Sequence, residues 1–596
     1  MEKGGHRERA VRDASEEPPT ESEGDGDHSL RWAVSGAAGN TKDRFLVSRS
    51  VVSAIVECLR HVGAPFLSAY PTTPLIEAAA AANLRPIICR QERVGVGIAD
   101  GFTRVTNGRP PGVFAMQWGP GSENAYPGVA TAFSDHVPML FLPMGHPTNR
   151  AAVRGYFDSK ESFRTVTKAV YRIDDPARTY EVIRRALSSL LNGPPGPVMV
   201  EIPADVGLAE VDSDFRVPTP VVTRSAADAG DVAAAVAMLR AAQRPIFVAG
   251  QGTLYGAATQ QLRLLSEYLA VPVATTLAGK SAFPEDHPLS LGTGGNSMPG
   301  PVSEFYRNAD VVLALGTSLT RHFLMAALPK GARIIHVTGN VADINNDYDP
   351  AIGLVGDIGI VIDDLLAAAQ DDGRGPADSS RIANAIAESR RTWLDTWMSL
   401  LSSDEVPINP YRVVAELSAA LEPIESVVTH DSGSPRDQMI PFYRARGPRS
   451  YIGWGRSHGL GTGLGLIMGA KLARPEAVCV NVMGDAAFGM VGLDFETAVR
   501  EQIPIVTVVF NNSIMACETS QMPIAHERFQ SRRIGGHYAD LARAMGGHGL
   551  TVERPQSIAR ALQEAIKHTA AGVPVLVEMI TSSEETPFSL RRSTEG

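Results

Sequence analysis

The chain has 596 residues, which is too many for one hydrophobic core, and a typical size of about 150 residues per domain predicts three or four domains. Apolar residues make up 44% of the chain and charged residues 20%, a composition typical of a soluble globular protein. The net charge is -10 and the basic residues form no concentrated block, so nucleic acid is not an expected partner.

Residues 1–45 are charged and poor in large apolar side chains, which predicts a disordered tail. They contain no apolar core of the kind that a secretory signal needs, and no run of about 18 apolar residues occurs, so we expect no membrane association. The four cysteines, Cys58, Cys89, Cys479 and Cys517, are far apart and form no CxxC motif. We therefore expect reduced thiols and a cytoplasmic location.

Residues 46–215 form the first of three blocks in which helical patterns alternate with short apolar runs. The predicted strands are APFLSAY, RPIICRQE, PGVFAMQW, VPMLFLPMG and the apolar run in GPPGPVMVEIPADV. Helices are predicted between them for PLIEAAAAANL, RVGVGIADGFTRVTNG and ENAYPGVATAFSD. This alternation is typical of a parallel sheet that is covered by helices on both faces.

Residues 225–370 and 400–590 repeat the alternation after polar linkers. The predicted strands are RPIFVAG, VPVATT, ADVVLALG and ARIIHVTG in the second block, and SVVTHDS, AVCVNVMGD, IPIVTVVFNN and VPVLVEM in the third. The first and third blocks are also similar to each other, because in both a glycine-containing turn is followed by a helix and an apolar strand. The sequence therefore predicts an α/β protein with three doubly wound parallel-sheet domains.

The stretch GDAAFGMVGLDFETAVREQIPIVTVVFNNS, residues 484–513, carries an acid at one end and two amides at the other. Because the strands of a right-handed βαβ unit are parallel, Asp485 and the pair Asn511 and Asn512 should emerge at the same end of the sheet. A carboxylate, an amide oxygen and a backbone carbonyl suit Mg²⁺, which completes its octahedron with phosphate oxygens and water. The small residues after the first strand allow the backbone to approach that phosphate at a helix N-terminus.

The Gly-Asp followed at this spacing by Asn-Asn resembles the diphosphate and magnesium motif of thiamine diphosphate enzymes. The resemblance covers residues 46–590 and is to the acetolactate synthase and pyruvate decarboxylase superfamily, most of all to acetolactate synthases. It also rests on AYPTTPLIEA, CRQERVGVGIADGFTRVTNG, WGPGSENAYPGVATAFSD, AFPEDHPLSLG and ADVVLALGTS, which match in order and spacing. It implies a pyrimidine-binding domain at 46–215, a central domain at 225–370 and a diphosphate-binding domain at 400–590.

The resemblance also implies roles for individual residues. Glu92 matches the family's glutamate, whose buried carboxyl shares a proton with N1′ of the cofactor's aminopyrimidine. Asp485 and Asn512 match the metal ligands, and the backbone carbonyl of Ile514 is the implied third ligand. Leu460 in HGLGTGLGL aligns with the bulky apolar residue that bends the cofactor, although plain core packing would also explain it.

Further residues are implied to contact the cofactor by their positions in the matching segments. They lie in the tight turn after the first strand, in the loop HDSGSPRDQ and around the metal motif, and they are Tyr70, Pro71, Gly433, Ser434, Arg436, Gly484, Ala486 and Ala487.

The chain departs from the acetolactate synthase pattern at two places. The metal motif begins Gly-Asp-Ala where the family usually has Gly-Asp-Gly, and the segment RGYFDSKESFRTVTK replaces one that carries Phe-Gln-Glu, which puts acetolactate formation in doubt.

His146, at the active end of the sheet, and Glu518, six residues after Asn512, are expected to be catalytic groups that handle protons. A solvated loop histidine and a surface glutamate are the alternatives.

The implied reaction depends on thiamine diphosphate and Mg²⁺: a 2-oxo acid is decarboxylated, and the enamine that results attacks a second carbonyl. The alternative is a non-oxidative decarboxylase that releases an aldehyde. The family also implies a homodimer or homotetramer, because Glu92 of one subunit serves the cofactor held by another.

Three other interpretations were weighed against this one. The motif GRSHG, residues 455–459, matches the nucleophile elbow of hydrolases, but an esterase would leave the acid and the amides without a role. The turn GQGTLYG, residues 250–256, is similar to a dinucleotide turn, but the next strand ends in threonines where a ribose-binding acid is expected.

Some family members hold FAD in this domain, and GTSLTRHFLMA leaves FAD open. A scaffold without chemistry is disfavoured because the three matching polar residues are present.

Overall fold

The computed structural model describes residues 49–583 except 152, 213, 296, 323, 519 and 520, together with the backbone but not the side chain of Glu518. The predicted tail, residues 1–45, lies outside the described residues. The described part contains three six-stranded sheets, one after another along the chain, and every strand pair is parallel. Helices flank each sheet, so the predicted α/β class with three parallel-sheet domains is confirmed. No helix in this part is long and apolar enough to cross a membrane.

The first sheet has the strand order β2-β1-β3-β4-β6-β5. Its strands are β1 Phe66–Tyr70, β2 Arg85–Ile88, β3 Val113–Met116, β4 Leu140–Gly145, β5 Ala169–Arg172 and β6 Val198–Pro203. Its helices are α1 Val51–His61, α2 Thr73–Ala81, α3 Glu92–Val105, α4 Pro120–Ser134, α5 Ser159–Phe163, α6 Thr179–Leu191 and α7 Ala204–Gly207. The inner strands are buried on both faces, which explains their continuous apolar runs.

The central sheet has the order β9-β8-β7-β10-β11-β12, which is the order of dinucleotide-binding folds. Its strands are β7 Pro245–Ala249, β8 Val273–Thr276, β9 Ser290–Gly294, β10 Val311–Leu315, β11 Arg333–Thr338 and β12 Ile352–Val355. Its helices are α8 Ala229–Ala241, α9 Gln251–Tyr255, α10 Thr259–Leu269, α11 Gly300–Asn308 and α12 Ile358–Asp371. A long helix, α13 Ser380–Leu401, follows and leads into the third domain.

The third sheet has the order β14-β13-β15-β16-β18-β17, which repeats the arrangement of the first sheet. Its strands are β13 Ser426–His430, β14 Tyr451–Ile452, β15 Val478–Gly484, β16 Val506–Asn511, β17 His548–Val552 and β18 Val575–Ile580. Its helices are α14 Pro410–Leu421, α15 Ser434–Phe442, α16 Thr462–Ala473, α17 Asp485–Val491, α18 Phe495–Arg500, α19 Pro523–Phe529, α20 Tyr538–Ala544 and α21 Ile558–Ala570. The similarity expected between the first and third blocks is thus a shared topology.

Helices α3 and α16 join the first and third domains through an unusually close crossing. A Cβ atom added to Gly469 would lie 2.1 Å from the carbonyl oxygen of Ile98, and one added to Gly101 would lie 2.0 Å from that of Leu466. Only glycine permits this approach of the two backbones. Residues of both domains share one apolar core around the crossing. The crossing fixes the start of α3, where Glu92 lies, relative to the segment that precedes α16, where Leu460 lies.

Candidate active site

The acid after β15 and the amide after β16 lie side by side at the carboxyl end of the third sheet. Asp485 accepts hydrogen bonds from the backbone N–H of Ala486 through Oδ1 and from that of Ser513 through Oδ2, both at 2.7 Å. The side-chain oxygen of Asn512 accepts from the backbone N–H of Ile514 at 3.1 Å. The structure therefore brings together the three residues that the sequence analysis predicted as metal ligands.

The two neighbouring amides have different surroundings. Asn511 is buried, and its Nδ2 donates to Glu578 on β18 at 2.7 Å and to the carbonyl of Gly536 at 3.2 Å. Its oxygen accepts from the backbone N–H of Ser513 at 3.2 Å. Asn511 thus fastens the end of β16 to the neighbouring strand, whereas Asn512 is half-buried and lies next to the acid.

The group of oxygens around Asp485 fits a magnesium ion and a phosphate. Burial raises the pKa of Asp485 to about 6, although backbone N–H groups of Ala486, Ser513 and Asn512 lower it. A nearby cation would stabilise this carboxylate, and carboxylate and amide oxygens are the ligands that Mg²⁺ prefers. Space for a ligand exists beside it, because a Cβ on Gly484 would meet no heavy atom within 4 Å. Ala486 and Ala487 form the first turn of α17, so they carry small side chains where a phosphate would approach the backbone.

The loop before α15 lies close to the segment that follows the metal motif. Gly433 has φ +92°, a conformation that favours glycine, and Ser434 begins the helix. The hydroxyl of Ser434 lies 3.5 Å from the thiol of Cys517, in the short 3-10 helix Ala516–Glu518. Arg436, in the first turn of α15, is buried and forms a double hydrogen bond, at 3.0 Å each, with Asp437, so its guanidinium is already engaged within the helix.

A buried acid that the sequence analysis did not single out connects this loop to the Leu460 segment. Asp431 accepts hydrogen bonds at 2.8 Å from the backbone N–H groups of Ser432, Gly461 and Gly463. Burial raises its pKa to about 6 despite these donors. Leu460 is half-buried and packs against the core shared by the first and third domains. Its predicted role against the cofactor stays a prediction.

Glu92 begins α3 at the carboxyl end of the first sheet, and its carboxyl is buried. Burial raises its pKa, while its own backbone N–H and the side chain of Asn124 lower it and the nearby Asp494 raises it further. A Cβ on Gly121 would lie 3.3 Å from Oε1 of Glu92, so that glycine leaves room beside the carboxyl. A carboxyl in this environment holds a proton at higher pH than an exposed glutamate does.

Tyr70, Pro71 and His146 lie at the same end of the first sheet, immediately after β1 and β4. The ring of His146 stacks on Tyr156 with centroids 4.4 Å apart, and Trp118, which follows β3 by two residues, is 6.0 Å away. Nε2 of His146 is buried and has no hydrogen-bond partner among the described residues. His146 is therefore part of an aromatic group rather than a solvated loop.

Glu518 was predicted from the sequence as a site residue, whereas Trp118, Tyr156 and Asp494 were not. The backbone of Glu518 closes the 3-10 helix, but its side chain lies outside the described residues, so its proposed role is not tested. Trp118 was missed although its position after β3 parallels that of His146 after β4, and the same reasoning about strand ends would have found it. Tyr156 and Asp494 carry no such signal, because Tyr156 does not follow a strand and Asp494, in the 3-10 helix Gly492–Asp494, is far along the sequence from Glu92.

A cavity of about 440 Å³ lies at the crevice where the strand order of the central sheet reverses, and residues of the other two domains, such as His136 and Arg456, also line it. The turns that follow β7, β10 and β11 line it, through residues such as Gly252, Gly316 and Gly339. Strand β8 ends in Thr276, so no acid stands where a ribose is usually bound. The sequence analysis left FAD binding in the central domain open, and this cavity is the place where such binding would occur.

Family models describe all three domains. A model for the N-terminal TPP binding domain of thiamine pyrophosphate enzymes matches residues 49–164, one for the central domain matches 232–365, and one for the C-terminal TPP binding domain matches 431–579. The Asp485 site falls within the last match and Glu92 within the first.

Curated relatives match nearly the whole chain. A probable acetolactate synthase large subunit of Methanocaldococcus jannaschii is 28% identical over 560 residues, which cover 89% of this chain and 92% of the relative. A sulfoacetaldehyde acetyltransferase of Alcaligenes xylosoxydans xylosoxydans is 29% identical and covers 93% of this chain and 95% of its own. The acetolactate synthase large subunit IlvG of Mycobacterium tuberculosis is 29% identical, with 84% and 89% covered. Two different activities thus occur among relatives at similar distance.

Proposed function

Because this chain belongs to the thiamine pyrophosphate enzyme family, we propose that it uses thiamine diphosphate and Mg²⁺ to decarboxylate a 2-oxo acid and to join the remaining fragment to a second carbonyl compound. The observation that carries the proposal is the contact between the ends of β15 and β16, where Asp485 bonds to the backbone of Ser513 beside Asn512. This contact assembles the oxygen ligands that a diphosphate-bound magnesium ion requires.

The residues at the carboxyl end of the third sheet would hold the diphosphate and its metal. Asp485, Asn512 and the backbone carbonyl of Ile514 would bind Mg²⁺, and the start of α17 and the loop at Gly433 would receive the phosphate oxygens. Helix N-termini bind anions through their free N–H groups, and the positive φ of Gly433 permits the sharp turn that exposes them.

Glu92 would act on the other end of the cofactor. When bound, thiamine diphosphate supplies a carbon nucleophile and takes up the electrons left behind by departing CO₂. The raised pKa of Glu92 allows its carboxyl to share a proton with N1′ of the aminopyrimidine, which promotes the tautomer that this chemistry needs. A carboxylate with an ordinary pKa would give up the proton too readily.

We propose a homodimer, alone or paired into a tetramer, as the active form. Glu92 follows a strand of the first sheet, whereas the metal ligands follow strands of the third sheet. Large apolar side chains are exposed beside both sites: Trp118 at 38% and Tyr156 at 44% in the first domain, and Met490 at 53% and Leu493 at 60% in the third. Such exposed apolar groups support burial against a second copy.

The relatives' names favour transfer or joining of an acetyl fragment, since one forms acetolactate and another is an acetyltransferase for sulfoacetaldehyde. The missing Phe-Gln-Glu segment argues against assigning acetolactate itself as the product. One observation favours aldehyde release as a second candidate: the unpartnered, buried Nε2 of His146 could deliver a proton to a bound intermediate.

The test is CO₂ release from a panel of 2-oxo acids in the presence of thiamine diphosphate and Mg²⁺, with the carbon product identified by mass. The proposal predicts a product with a new carbon–carbon bond when an acceptor aldehyde or 2-oxo acid is added. An aldehyde as sole product, lost in His146→Gln, would establish the second candidate instead. No CO₂ from any donor by a protein that binds the cofactor tightly would overturn the proposed reaction.

A further inference from the structure

A second group of metal-ligating side chains lies in the third domain, far along the sheet from the Asp485 site. His548 is the first residue of β17, and Glu564 and His568 lie on α21, which packs against that strand. One ligand atom from each of the three residues lies within 4.8 Å of the others, and all three residues are half-buried. We propose that His548, Glu564 and His568 bind a divalent transition-metal ion of the zinc class.

The backbone holds the three side chains in place without a metal. Glu564 and His568 are four residues apart on α21, so they lie on the same face of the helix. The backbone N–H of His548 donates to the carbonyl of Pro574 at 3.0 Å, and the carbonyl of His568 accepts from the N–H of Val573 at 3.0 Å. The short connection between α21 and β18 therefore fastens both histidines, and a metal would find its ligands already positioned.

The distances suit small ions with nitrogen and oxygen ligands. Nε2 of His548 lies 3.3 Å from Oε1 of Glu564, and the rings of His548 and His568 are stacked with centroids 4.0 Å apart. Zinc bonds of about 2.0–2.1 Å in a tetrahedron place neighbouring ligand atoms about 3.3 Å apart. The pair His548 and Glu564 already has that separation, and the ligand atom of His568 lies within 4.8 Å of both.

The ligand types select the metal. Two imidazoles and one carboxylate, with water in the fourth position, are a donor set that zinc and its neighbours in the first transition row accept. Mg²⁺ and Ca²⁺ prefer all-oxygen sites, so the ion needed at Asp485 should not compete here. His568 also lies in the last turn of α21, where the helix dipole favours a positive charge.

The site would connect an edge strand to a helix. Strand β17 pairs only with β18 in the described sheet, so its other side has no strand neighbour. A metal bound by one residue of β17 and two of α21 would join them and stabilise the folded domain by an amount that grows with the free metal concentration relative to its Kd. The inference does not depend on the proposed reaction, because the Asp485 ligands belong to other strands.

The experiment is calorimetric titration of ZnCl₂ into the full chain, with thiamine diphosphate and excess Mg²⁺ present, followed by Co²⁺ absorption spectroscopy. We expect one saturable zinc site per chain, and an affinity at least about tenfold weaker in Glu564→Gln and His568→Gln, since even outer-shell partners of a metal cost that much when lost. The matched control is His287→Gln, because His287 forms a similar pair with Glu267 at 3.1 Å but no third ligand is grouped with it among the described residues.

Hydrogen exchange provides a readout that does not depend on calorimetry. Zinc should slow the exchange of the β17 amides in the wild-type chain and in His287→Gln, and should leave them unchanged in Glu564→Gln. No saturable binding, or equal zinc affinity in the wild type, Glu564→Gln and His568→Gln, would overturn the inference. Glu564→Gln keeps the size and polarity of a half-buried helical side chain, so loss of folding should not obscure the result.

Discussion

The first and third sheets share one strand order but present different chemistry at their carboxyl ends. In the first sheet, β2 leads into α3, whose first residue is the buried Glu92. In the third sheet, β15 leads into α17, whose first residue is Asp485, beside Asn512. Because β15 corresponds to β3 in the shared order and β2 to β14, two different βα corners of one topology provide a proton-holding acid in one domain and an ion-binding acid in the other.

The environment of each acid explains the difference. The ionised form of Glu92 is stabilised by its own backbone N–H and by one side-chain donor, Asn124, whereas the negative charge of Asp494 opposes ionisation. Asp485 receives several backbone N–H bonds at a helix start, where a cation and a phosphate can also approach. Burial raises the pKa of both, but Asp485 also has the half-buried amide of Asn512 next to it. Topology thus positions the acids, and the surrounding donors set their roles.

The largest expected effect comes from removing the ion-binding acid. Asp485→Ala should weaken Mg²⁺-dependent binding of thiamine diphosphate by more than the roughly 10–100-fold that loss of an outer-shell partner costs, because the metal loses its only carboxylate among the proposed ligands. Calorimetry with and without Mg²⁺ measures this, and Asp540→Ala, at an exposed acid of the same domain, is the control. Unchanged affinity in Asp485→Ala would show that the metal is held elsewhere.

The corresponding change in the first domain should separate binding from turnover. Glu92→Gln keeps the size of the side chain but removes the transferable proton, so cofactor affinity should persist while kcat falls about 10²–10⁴-fold. Glu123→Gln, at an exposed position of α4, should leave both unchanged. Full turnover in Glu92→Gln would refute the assigned role, and lost cofactor binding would place Glu92 among the binding residues instead.

The crossing of α3 and α16 can be tested through its glycines. Gly469→Ala introduces a methyl group 2.1 Å from a backbone carbonyl, which forces the helices apart, so we expect a loss of about 3 kcal/mol in denaturant unfolding. Gly489→Ala in α17 is the matched control, because its Cβ would meet nothing within 4 Å and alanine favours a helix. Equal stability of the two variants would contradict the described crossing.

The smallest effect concerns the neighbour of Glu92. Burial raises the pKa of Asp494 to about 6, so its carboxyl is charged above that pH and raises the pKa of Glu92. Activity that needs protonated Glu92 is lost as pH rises through that pKa, so Asp494→Asn should move the alkaline limb of the activity profile to lower pH. Asparagine can still accept from the backbone N–H of Arg90, which bonds to Asp494 at 2.7 Å. If the alkaline limb of the Asp494→Asn activity profile stays in place or moves to higher pH, Asp494 does not raise the pKa of Glu92.

The strands that the sequence predicted and those that it missed differ in their position in the sheets. The inner strands were predicted because burial on both faces requires continuous apolar runs. Strands β5, β9, β12 and β17 were missed, and each lies at the edge of its sheet. Strands β5, β12 and β17 are partly exposed. Strand β9 is buried, but its sequence SLGTG, like HGLTV in β17, carries little apolar signal.

The candidate site was predictable where it depends on local sequence. Asp485 and Asn512 follow strands directly, so parallel topology alone implies that they meet. The different roles of Asn511 and Asn512 depend on Glu578, which is distant in sequence, and no local pattern shows that contact. The bond between Arg436 and Asp437 in α15 and the stacking of Tyr156 on His146 depend on side-chain directions, which a sequence pattern does not show.

The central claim is that Glu92 activates a thiamine diphosphate held at the Asp485 site, and it can be tested without knowing the substrate. The measurement is the rate of hydrogen–deuterium exchange at C2 of the bound cofactor, followed by NMR after acid quench, in the wild type and in Glu92→Gln. We predict exchange far faster than in free cofactor for the wild type, and a rate reduced by about 10²-fold or more in Glu92→Gln at full cofactor occupancy. Equal exchange rates in the two proteins would contradict the account.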